Sequence, residues 1–362
     1  MSGALRVLCL VPYPRSNAGV RLRFDQQITE LARHGIDLSL SPFLDERGYR
    51  IAFRHGHLLA KVAAVVRGFA RRLADARQVP RFDLLLVYRE STPFGPRFVE
   101  AVAALYGVPL VVDFDEAVFI RNVHPANKRW AWLRDPRRLS AALRSARAAT
   151  AQNEYLADFA RRFNSQVSVV PTPVDTDARQ PRTGRREGPV VIGWIGSETT
   201  APFLHLIDDA LARVSEDSDV IVRVVGGAYS NERLRTVDVR EFDLDREQSE
   251  LDSIDIGILP EPDDPWTKGK GGYKALLYMA AGIPVVAARV GVNPDIVAHG
   301  ETGYCVNTTE EWVTALRRLI GDEALRLRMG SAGRARAVER FSVTVIAPRF
   351  AAVLRDAAAV RR

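Results

Sequence analysis

Short apolar runs alternate with stretches of helical hydrophobic spacing along most of the chain. Residues 6–13 form an apolar run that predicts a strand. Residues 19–35 follow it with apolar side chains at helical spacing, which predicts a helix. The same reading predicts strands over 36–43, 83–90, 109–116 and 166–175, and helices over 50–78, 95–106 and most of 128–164. Nearly continuous Val and Leu runs are typical of parallel strands that are buried on both faces of a sheet. The pattern therefore predicts an α/β domain.

The alternation stops at 176–189, which has two prolines, two glycines and four arginines but no apolar periodicity. It restarts with predicted strands over 190–196, 220–227, 237–242, 255–260, 284–290 and 302–307. We therefore expect four segments: an α/β domain at 1–175, a linker at 176–189, a second α/β domain at 190–342, and a helix at 343–362 that packs back on the first domain. In doubly wound domains, ligands bind at the carboxyl ends of the strands, which predicts a site in a cleft between the two domains.

Composition narrows the class of protein. A chain of 362 residues suits two domains, and 47% apolar with 26% charged residues is ordinary for a globular protein. The sequence has neither an apolar run as long as about 18 residues nor a signal-peptide pattern. Cys9 and Cys305 lack partners in any metal or redox motif, so we expect a cytoplasmic protein without a metal.

The net charge is +7, and the cations are mostly of one type, because 46 of the 51 are Arg. Three of the five lysines fall within 268–274. A basic balance is compatible with nucleic acid, an anionic membrane or an acidic small molecule, and by itself does not choose among them.

The lysine cluster lies between a predicted strand and a predicted helix that begins at Tyr273. Glycine backbone and a helix amino terminus both favour a bound anion, and lysines add full charge. We expect a diphosphate here, contacted by residues drawn from Lys268, Lys270, Gly271, Gly272, Tyr273 and Lys274. A solvated basic loop is the alternative.

The segment 278–312, YMAAGIPVVAARVGVNPDIVAHGETGYCVNTTEEW, and the helical pattern of 315–342 resemble the donor-binding domain of family 4 glycosyltransferases. The resemblance implies the GT-B fold, two Rossmann-like doubly wound domains facing a cleft. It also implies transfer of a sugar from a nucleotide diphosphate-sugar to a hydroxyl acceptor, usually with retention and without a metal or other cofactor. On this resemblance, the domain at 1–175 binds the acceptor and the domain at 190–342 binds the nucleotide-sugar.

The sequence departs from this family at the donor site. Many members carry two glutamates eight residues apart, and the matching positions here are Gly269 and Leu277. The family's cations after the first strand of this domain are also missing. We expect the lysine cluster to neutralise the phosphates instead. Glu261 either contacts donor hydroxyls or belongs to a solvated loop, and Gly196 and Ser197 either donate N–H groups to phosphate or only form a turn.

In the first domain, candidate residues follow two predicted strands. Acids at a strand end can orient an acceptor hydroxyl or stabilise positive charge at the anomeric carbon, and we take Asp115 and Asp113 as the catalytic candidates. The residues expected to face an acceptor or phosphate are Gly19, Arg21, Arg23, Glu116 and the loop residue His124.

The basic amphipathic segment 50–77 either lies on an anionic membrane, presenting a lipid-linked acceptor, or packs its apolar face on the sheet. The acceptor is expected to be a saccharide, a lipid-linked molecule or a small molecule. Two other functions stay open: a non-catalytic relative that binds a sugar nucleotide or a partner protein, and a basic nucleic-acid-binding α/β protein. We favour the glycosyltransferase and expect no nucleic acid.

Overall fold

The computed structural model describes residues 3–120, 135, 137–181 and 188–359. Its chain forms two compact units, Met1–Pro173 with Val343–Arg362, and Val174–Ser342. The linker predicted at 176–189 lies partly outside the described residues, and its described part belongs to the second unit.

The first unit contains a six-stranded sheet in which every neighbouring pair is parallel. Its strands are β1 (Leu5–Val11), β2 (Ile36–Pro42), β3 (Leu84–Tyr88), β4 (Leu110–Phe114), β5 (Ala148–Ala151) and β6 (Val167–Val169). The spatial order is β2-β1-β3-β4-β5-β6, so the direction of winding reverses between β1 and β3.

Among the described residues, seven helices of this unit lie between consecutive strands. They are α1 (Ala18–Arg23), α2 (Ile28–Arg33), α3 (Glu46–Ala52), α4 (Leu58–Gln78), α5 (Phe98–Leu105), α6 (Arg137–Ser145) and α7 (Glu154–Arg161), with short 3-10 turns at Asp25–Gln27 and Val79–Arg81.

Three predictions in this unit were too simple. The helix predicted over 19–35 is interrupted near Phe24, where the side-chain amides of Gln26 and Gln27 bond to carbonyls of the preceding turn. The helix predicted over 50–78 is two helices, because Gly56 and His57 both take positive φ. Within the region predicted as helical at 128–164, Ala148–Ala151 is the strand β5.

The second unit has its own all-parallel sheet of six strands. They are β7 (Val190–Ile195), β8 (Val220–Val225), β9 (Val237–Arg240), β10 (Ile256–Leu259), β11 (Val285–Ala288) and β12 (Gly303–Val306). The order is β12-β11-β10-β7-β8-β9, so here the winding reverses between β7 and β10.

The helices of the second unit are α8 (Asp208–Asp217), α9 (Glu247–Asp252), α10 (Pro265–Lys268), α11 (Tyr273–Ala280), α12 (Asn293–Ile296), α13 (Thr309–Gly321) and α14 (Glu323–Phe341), with 3-10 turns at Ala201–Ile207 and Leu244–Arg246. Buried Val, Ile and Leu side chains pack on both faces of the sheet, as its apolar strands require.

The last helix, α15 (Val343–Ala359), belongs to the first unit, although 169 residues of the second unit precede it in the chain. Its Ile346, Phe350 and Leu354 side chains are fully buried in the same core as Val7 and Phe24. The prediction of two Rossmann-like doubly wound domains is confirmed.

Candidate functional site

In the second unit, the predicted donor residues follow the two strands between which the winding reverses. The turn Gly196–Ser197 follows β7, and the segment 261–274 follows β10. Parallel doubly wound sheets bind ligands outside the carboxyl ends of their strands at such a reversal. We call this region the donor edge.

Gly196 gives the donor edge room for two side chains. A Cβ at this position would lie 2.4 Å from the Trp194 ring and 2.8 Å from Lys274 Nζ. The Gly196 N–H donates to the Val225 carbonyl at 2.9 Å, so its hydrogen is already used within the sheet. Glycine at this position therefore serves the approach of Lys274.

Lys274, on the first turn of α11, reaches across to the other strand end. Its Nζ donates to Thr200 Oγ1 at 3.0 Å and lies 4.3 Å from the centre of the Trp194 ring. No described carboxylate lies within 4.0 Å of this ammonium, and burial lowers its pKa to about 7. A partly desolvated cation without a contacting anion is a favourable partner for an anionic ligand.

The amino end of α11 adds to this positive character. Gly272 takes the left-handed conformation with φ of 61°, and no side chain caps the helix. The N–H groups of the first turn therefore lack a capping side chain, which favours a bound anion. Gly271 precedes this turn, and Tyr273 is its first helical residue.

Glu261 lies on the same edge, between Lys270 and a residue that the sequence did not single out, Asn293. The Lys270 ammonium is 3.6 Å from Glu261 Oε1, and Asn293 Nδ2 donates to Glu261 Oε2 at 3.1 Å. Lys270 also lies 4.6 Å from the centre of the Phe203 ring. The structure thus brings Glu261 and Lys270 together with Asn293.

Lys268 has a different environment. It forms an exposed ion pair of 2.8 Å with Asp263, in which the two side chains are 43% and 68% exposed.

Gly269 ends α10, and Leu277 is buried in the core that packs on α11. Neither of those two positions therefore offers a carboxylate to a ligand.

In the first unit, two of the predicted residues form a buried ion pair. Arg23 donates through Nε and Nη2 to Asp113 at 3.0 and 2.5 Å, and Thr150 Oγ1 also donates to this carboxylate. Both residues are fully buried, and burial alone would lower the pKa of Arg23, but the Asp113 charge raises it. This pair connects α1 to the centre of the sheet and is closed to solvent.

Asp115 belongs to a second group at the ends of β3 and β4. Tyr88 Oη donates to its carboxylate at 2.6 Å, and Arg89 Nε donates at 2.7 Å. Arg89 also pairs with Glu116 at 3.0 Å. Burial alone would raise the pKa of Asp115, but the Arg89 charge overcomes it and lowers that pKa. Asp115 is therefore ionised at neutral pH.

Gly19 borders the same group. A Cβ on Gly19 would lie 3.0 Å from Tyr88 Oη and 3.3 Å from Arg89 Nη2. The β1 and β3 ends meet where the winding of this sheet reverses, so we call Gly19, Tyr88, Arg89, Asp115 and Glu116 the acceptor-edge cluster.

Sequence reasoning missed Arg89, whose φ of 62° is unusual for a residue other than glycine. Its only sequence signal was its position directly after a strand. Arg21 lies partly exposed on α1 and is not part of the acceptor-edge cluster. His124 lies outside the described residues.

The described residues contain neither a metal-binding cluster nor a membrane-spanning helix. Within them, no group of three or more His, Cys, Asp or Glu side chains has an arrangement that suits a metal ion. Among the described helices, none combines the length and the apolar character that crossing a membrane requires.

A known family model matches part of the second unit. Residues 189–322 match the family model of group 1 glycosyl transferases. This segment includes β7 to β12 and therefore the whole donor edge.

Curated relatives carry related names. The chain is 30% identical over 219 residues to an MMP α-(1→4)-mannosyltransferase of Mycolicibacterium hassiacum, covering 57% of this chain and 52% of the relative. It is 28% identical over 290 residues to the sulfoquinovosyl transferase SQD2 of Arabidopsis thaliana, covering 71% of this chain and 54% of the relative. The chain thus spans about half the length of these relatives.

Solved structures match along nearly the whole chain. Sucrose-phosphate synthase from Thermosynechococcus elongatus has a TM-score of 0.68 at 17% identity and covers 98% of both chains. HepE of Anabaena, solved in complex with UDP and glucose, has a TM-score of 0.65 at 17% identity, with 97% of this chain and 99% of that one covered. The predicted GT-B fold is confirmed.

Proposed function

We propose that this chain is a glycosyltransferase that moves a sugar from a nucleotide diphosphate-sugar to a hydroxyl acceptor. The second unit binds the donor at the donor edge, and the first unit binds the acceptor near the acceptor-edge cluster. Two similarities support the class of reaction: residues 189–322 match the group 1 glycosyl transferase model, and curated relatives are named as sugar transferases.

Lys274 is the observation that carries this proposal. Its ammonium lies between the two strand ends of the donor edge without a contacting carboxylate among the described residues. A diphosphate supplies the missing anion, and the uncapped first turn of α11 adds N–H donors. A bound diphosphate favours the protonated form of Lys274, and this positive charge stabilises the diphosphate as it leaves the sugar, which lowers the barrier to transfer.

Asp115 is the proposed catalytic residue of the first unit. Its carboxylate is ionised, and hydrogen bonds from Tyr88 and Arg89 fix its orientation. It is therefore preorganised to accept a hydrogen bond from an acceptor hydroxyl. Asp113 remains a predicted catalytic residue, but its buried pair with Arg23 supports a structural role for both. Retention of the anomeric configuration and independence of metals are part of the proposal, taken from the family resemblance.

A thermal-shift panel tests the donor assignment. The ligands are UDP, GDP, UDP-glucose, GDP-mannose and a mixed oligonucleotide, each with the wild type and Lys274→Met. We expect one nucleoside diphosphate and its sugar to raise the melting temperature of the wild type and to have little effect on the variant. Stabilisation by the oligonucleotide alone would favour the nucleic-acid-binding alternative and contradict the proposal.

Product analysis separates an enzyme from a non-catalytic relative. The bound nucleotide-sugar is incubated with a panel of saccharide, inositol and glycerol acceptors, with and without EDTA, and the anomeric configuration of any product is read by NMR. Binding without transfer to any acceptor would support the non-catalytic alternative. Loss of transfer in EDTA would contradict metal independence alone.

We further propose that α4 contacts an anionic membrane surface. Leu59, Val62, Val66 and Leu73 share one face of this helix and are at least half exposed, whereas Ala64, Gly68 and Arg72 on the opposite face are buried. The sequence from Glu46 to Asp75 has no acid between these two residues. An exposed apolar stripe among cations suits a bilayer that contains anionic lipids.

Vesicle sedimentation tests this contact. We expect the wild type to bind vesicles with phosphatidylglycerol and not vesicles of phosphatidylcholine alone, and Leu59→Asp to lose that binding. Leu327→Asp, at another exposed leucine, on α14, is the control. Equal binding by both variants would contradict the membrane contact and leave the donor assignment unaffected.

A further inference from the structure

Asn293 lies directly behind Glu261 at the donor edge and is 1% exposed. Its Nδ2 donates to the Ala288 carbonyl at 3.0 Å and to Glu261 Oε2 at 3.1 Å. The two hydrogens of the amide are thus divided between the end of β11 and the Glu261 carboxylate.

The Asn293 side chain forms hydrogen bonds through its Nδ2 donor and none through its Oδ1 acceptor among the described residues. Its Oδ1 is buried and has no hydrogen-bond partner among the residues that the structure describes. A buried acceptor without a donor costs stability, which an apolar side chain at this position would avoid. The position therefore indicates a need to hold the Glu261 carboxylate.

The backbone around Asn293 is itself fixed. Its N–H donates to the Val290 carbonyl at 3.1 Å, and its carbonyl accepts from Cys305 Sγ at 3.6 Å, which connects it to β12. Lys270, the other partner of Glu261, acts from a flexible side chain at 3.6 Å. Asn293 is therefore the partner that sets the direction of the carboxylate.

We propose that Asn293 is a positioning residue that orients Glu261 to accept hydrogen bonds from the hydroxyl groups of the donor sugar. Each carboxylate oxygen has two lone pairs, so Glu261 keeps acceptor capacity beyond its contacts with Asn293 and Lys270. The inference rests on the proposed donor site and adds how the sugar, as distinct from the nucleotide, is recognised there.

A double-mutant cycle on Asn293→Ala and Glu261→Ala tests this role. Calorimetry measures the affinity for a nucleotide-sugar and for the matching diphosphate, using whichever of UDP-glucose with UDP or GDP-mannose with GDP binds the wild type. We expect Asn293→Ala to weaken binding of the nucleotide-sugar about tenfold while binding of the diphosphate changes little, since one hydrogen bond to a charged group is lost. In the Glu261→Ala background, Asn293→Ala should add no further loss.

Two results would overturn the inference. Equal losses for both ligands would mean that Asn293 supports only the fold, and additive losses would mean that it does not act through Glu261. If Asn293→Ala does not fold, Asn293→Ser replaces it, since its hydroxyl is too short to reach Glu261 in the same way. If the wild type binds neither ligand pair, both the donor assignment and this inference are overturned. If the wild type binds and Asn293→Ala has the same affinities, only this inference is overturned.

Discussion

The two edges where the sheets reverse their winding differ in how their cations are paired. In the first unit, Asp113 is paired with Arg23, and Arg89 is shared between Asp115 and Glu116. In the second unit, Lys274 has a hydroxyl and an aromatic ring as its partners but no described carboxylate within 4.0 Å. A buried charge pair fixes the positions of its two side chains, whereas a cation that contacts no anion can bind an anionic ligand.

The largest effect is expected from breaking the buried pair of the first unit. Asp113→Ala leaves the Arg23 guanidinium buried without its counter-charge, so the free energy of unfolding should fall by about 3–5 kcal/mol. Urea unfolding measures this change. As a control, Asp158→Ala removes an exposed partner of Arg161 and should change the stability little. An Asp113→Ala protein of normal stability that has lost only its activity would instead support a catalytic role for Asp113.

The next largest effect concerns the cation of the second unit. Lys274→Met should weaken binding of a nucleoside diphosphate by about 1.5–3 kcal/mol, the usual worth of a hydrogen bond to a charged group. Calorimetry with the diphosphate and with the free nucleoside separates phosphate contacts from base contacts. Lys268→Met is the matched control, because Lys268 forms an exposed ion pair with Asp263. A larger loss at Lys268 than at Lys274 would reverse the assignment.

The glycine beside Lys274 should be sensitive to added volume. Gly196→Ala places a Cβ 2.4 Å from the Trp194 ring, so the ring and Lys274 must move, at a cost of about 1–3 kcal/mol of stability. Thermal unfolding measures this cost, and diphosphate affinity should fall with it. Gly321→Ala, at the last residue of α13, where nothing lies within 4 Å of the new Cβ, should lower neither quantity.

The smallest effect is a pH dependence of donor binding. The pKa of Lys274 is lowered to about 7 by burial, so without ligand the ammonium loses its proton as the pH rises above this value. Diphosphate affinity should then fall between pH 7 and pH 9, by at most about tenfold per unit. Lys274→Arg, which stays charged, should bind with little change over this range. A wild-type affinity that does not change over the same range would contradict the lowered pKa.

The same pKa has a consequence for folding with the opposite trend. The Lys274 side chain of the unfolded chain titrates near its ordinary value of 10.5, so between about pH 7 and that value the unfolded state binds more protons than the folded state. The contribution of Lys274 to stability should therefore rise with pH over this window. In Lys274→Met this contribution is absent.

The fold could be predicted from the sequence where strands are rich in Val, Ile and Leu. The strand β5, Ala148–Ala151, was missed because alanine has low strand propensity and the flanking segments have helical spacing. Its place in the sheet depends on pairing with β4 and β6, which no local pattern reports.

The site was predicted unevenly for a similar reason. Lysines among glycines after a strand pointed to Lys274, but the sequence did not separate it from Lys268, since only the fold decides which lysine meets Trp194. Arg89 and Asn293 were missed because their importance lies in contacts with distant residues, Asp115 and Glu261 respectively. The catalytic and binding roles themselves stay predictions.

The return of α15 to the first unit bears on how the chain folds during its synthesis. The second unit, Val174–Ser342, is continuous, so all of its strands can pair before the last helix leaves the ribosome. The core that contains Val7 and Phe24 also contains Phe350, so it lacks one of its members until α15 is made. We therefore expect nascent chains that stop after Ser342 to contain a protease-resistant second unit beside a first unit that still exposes apolar surface and recruits chaperones.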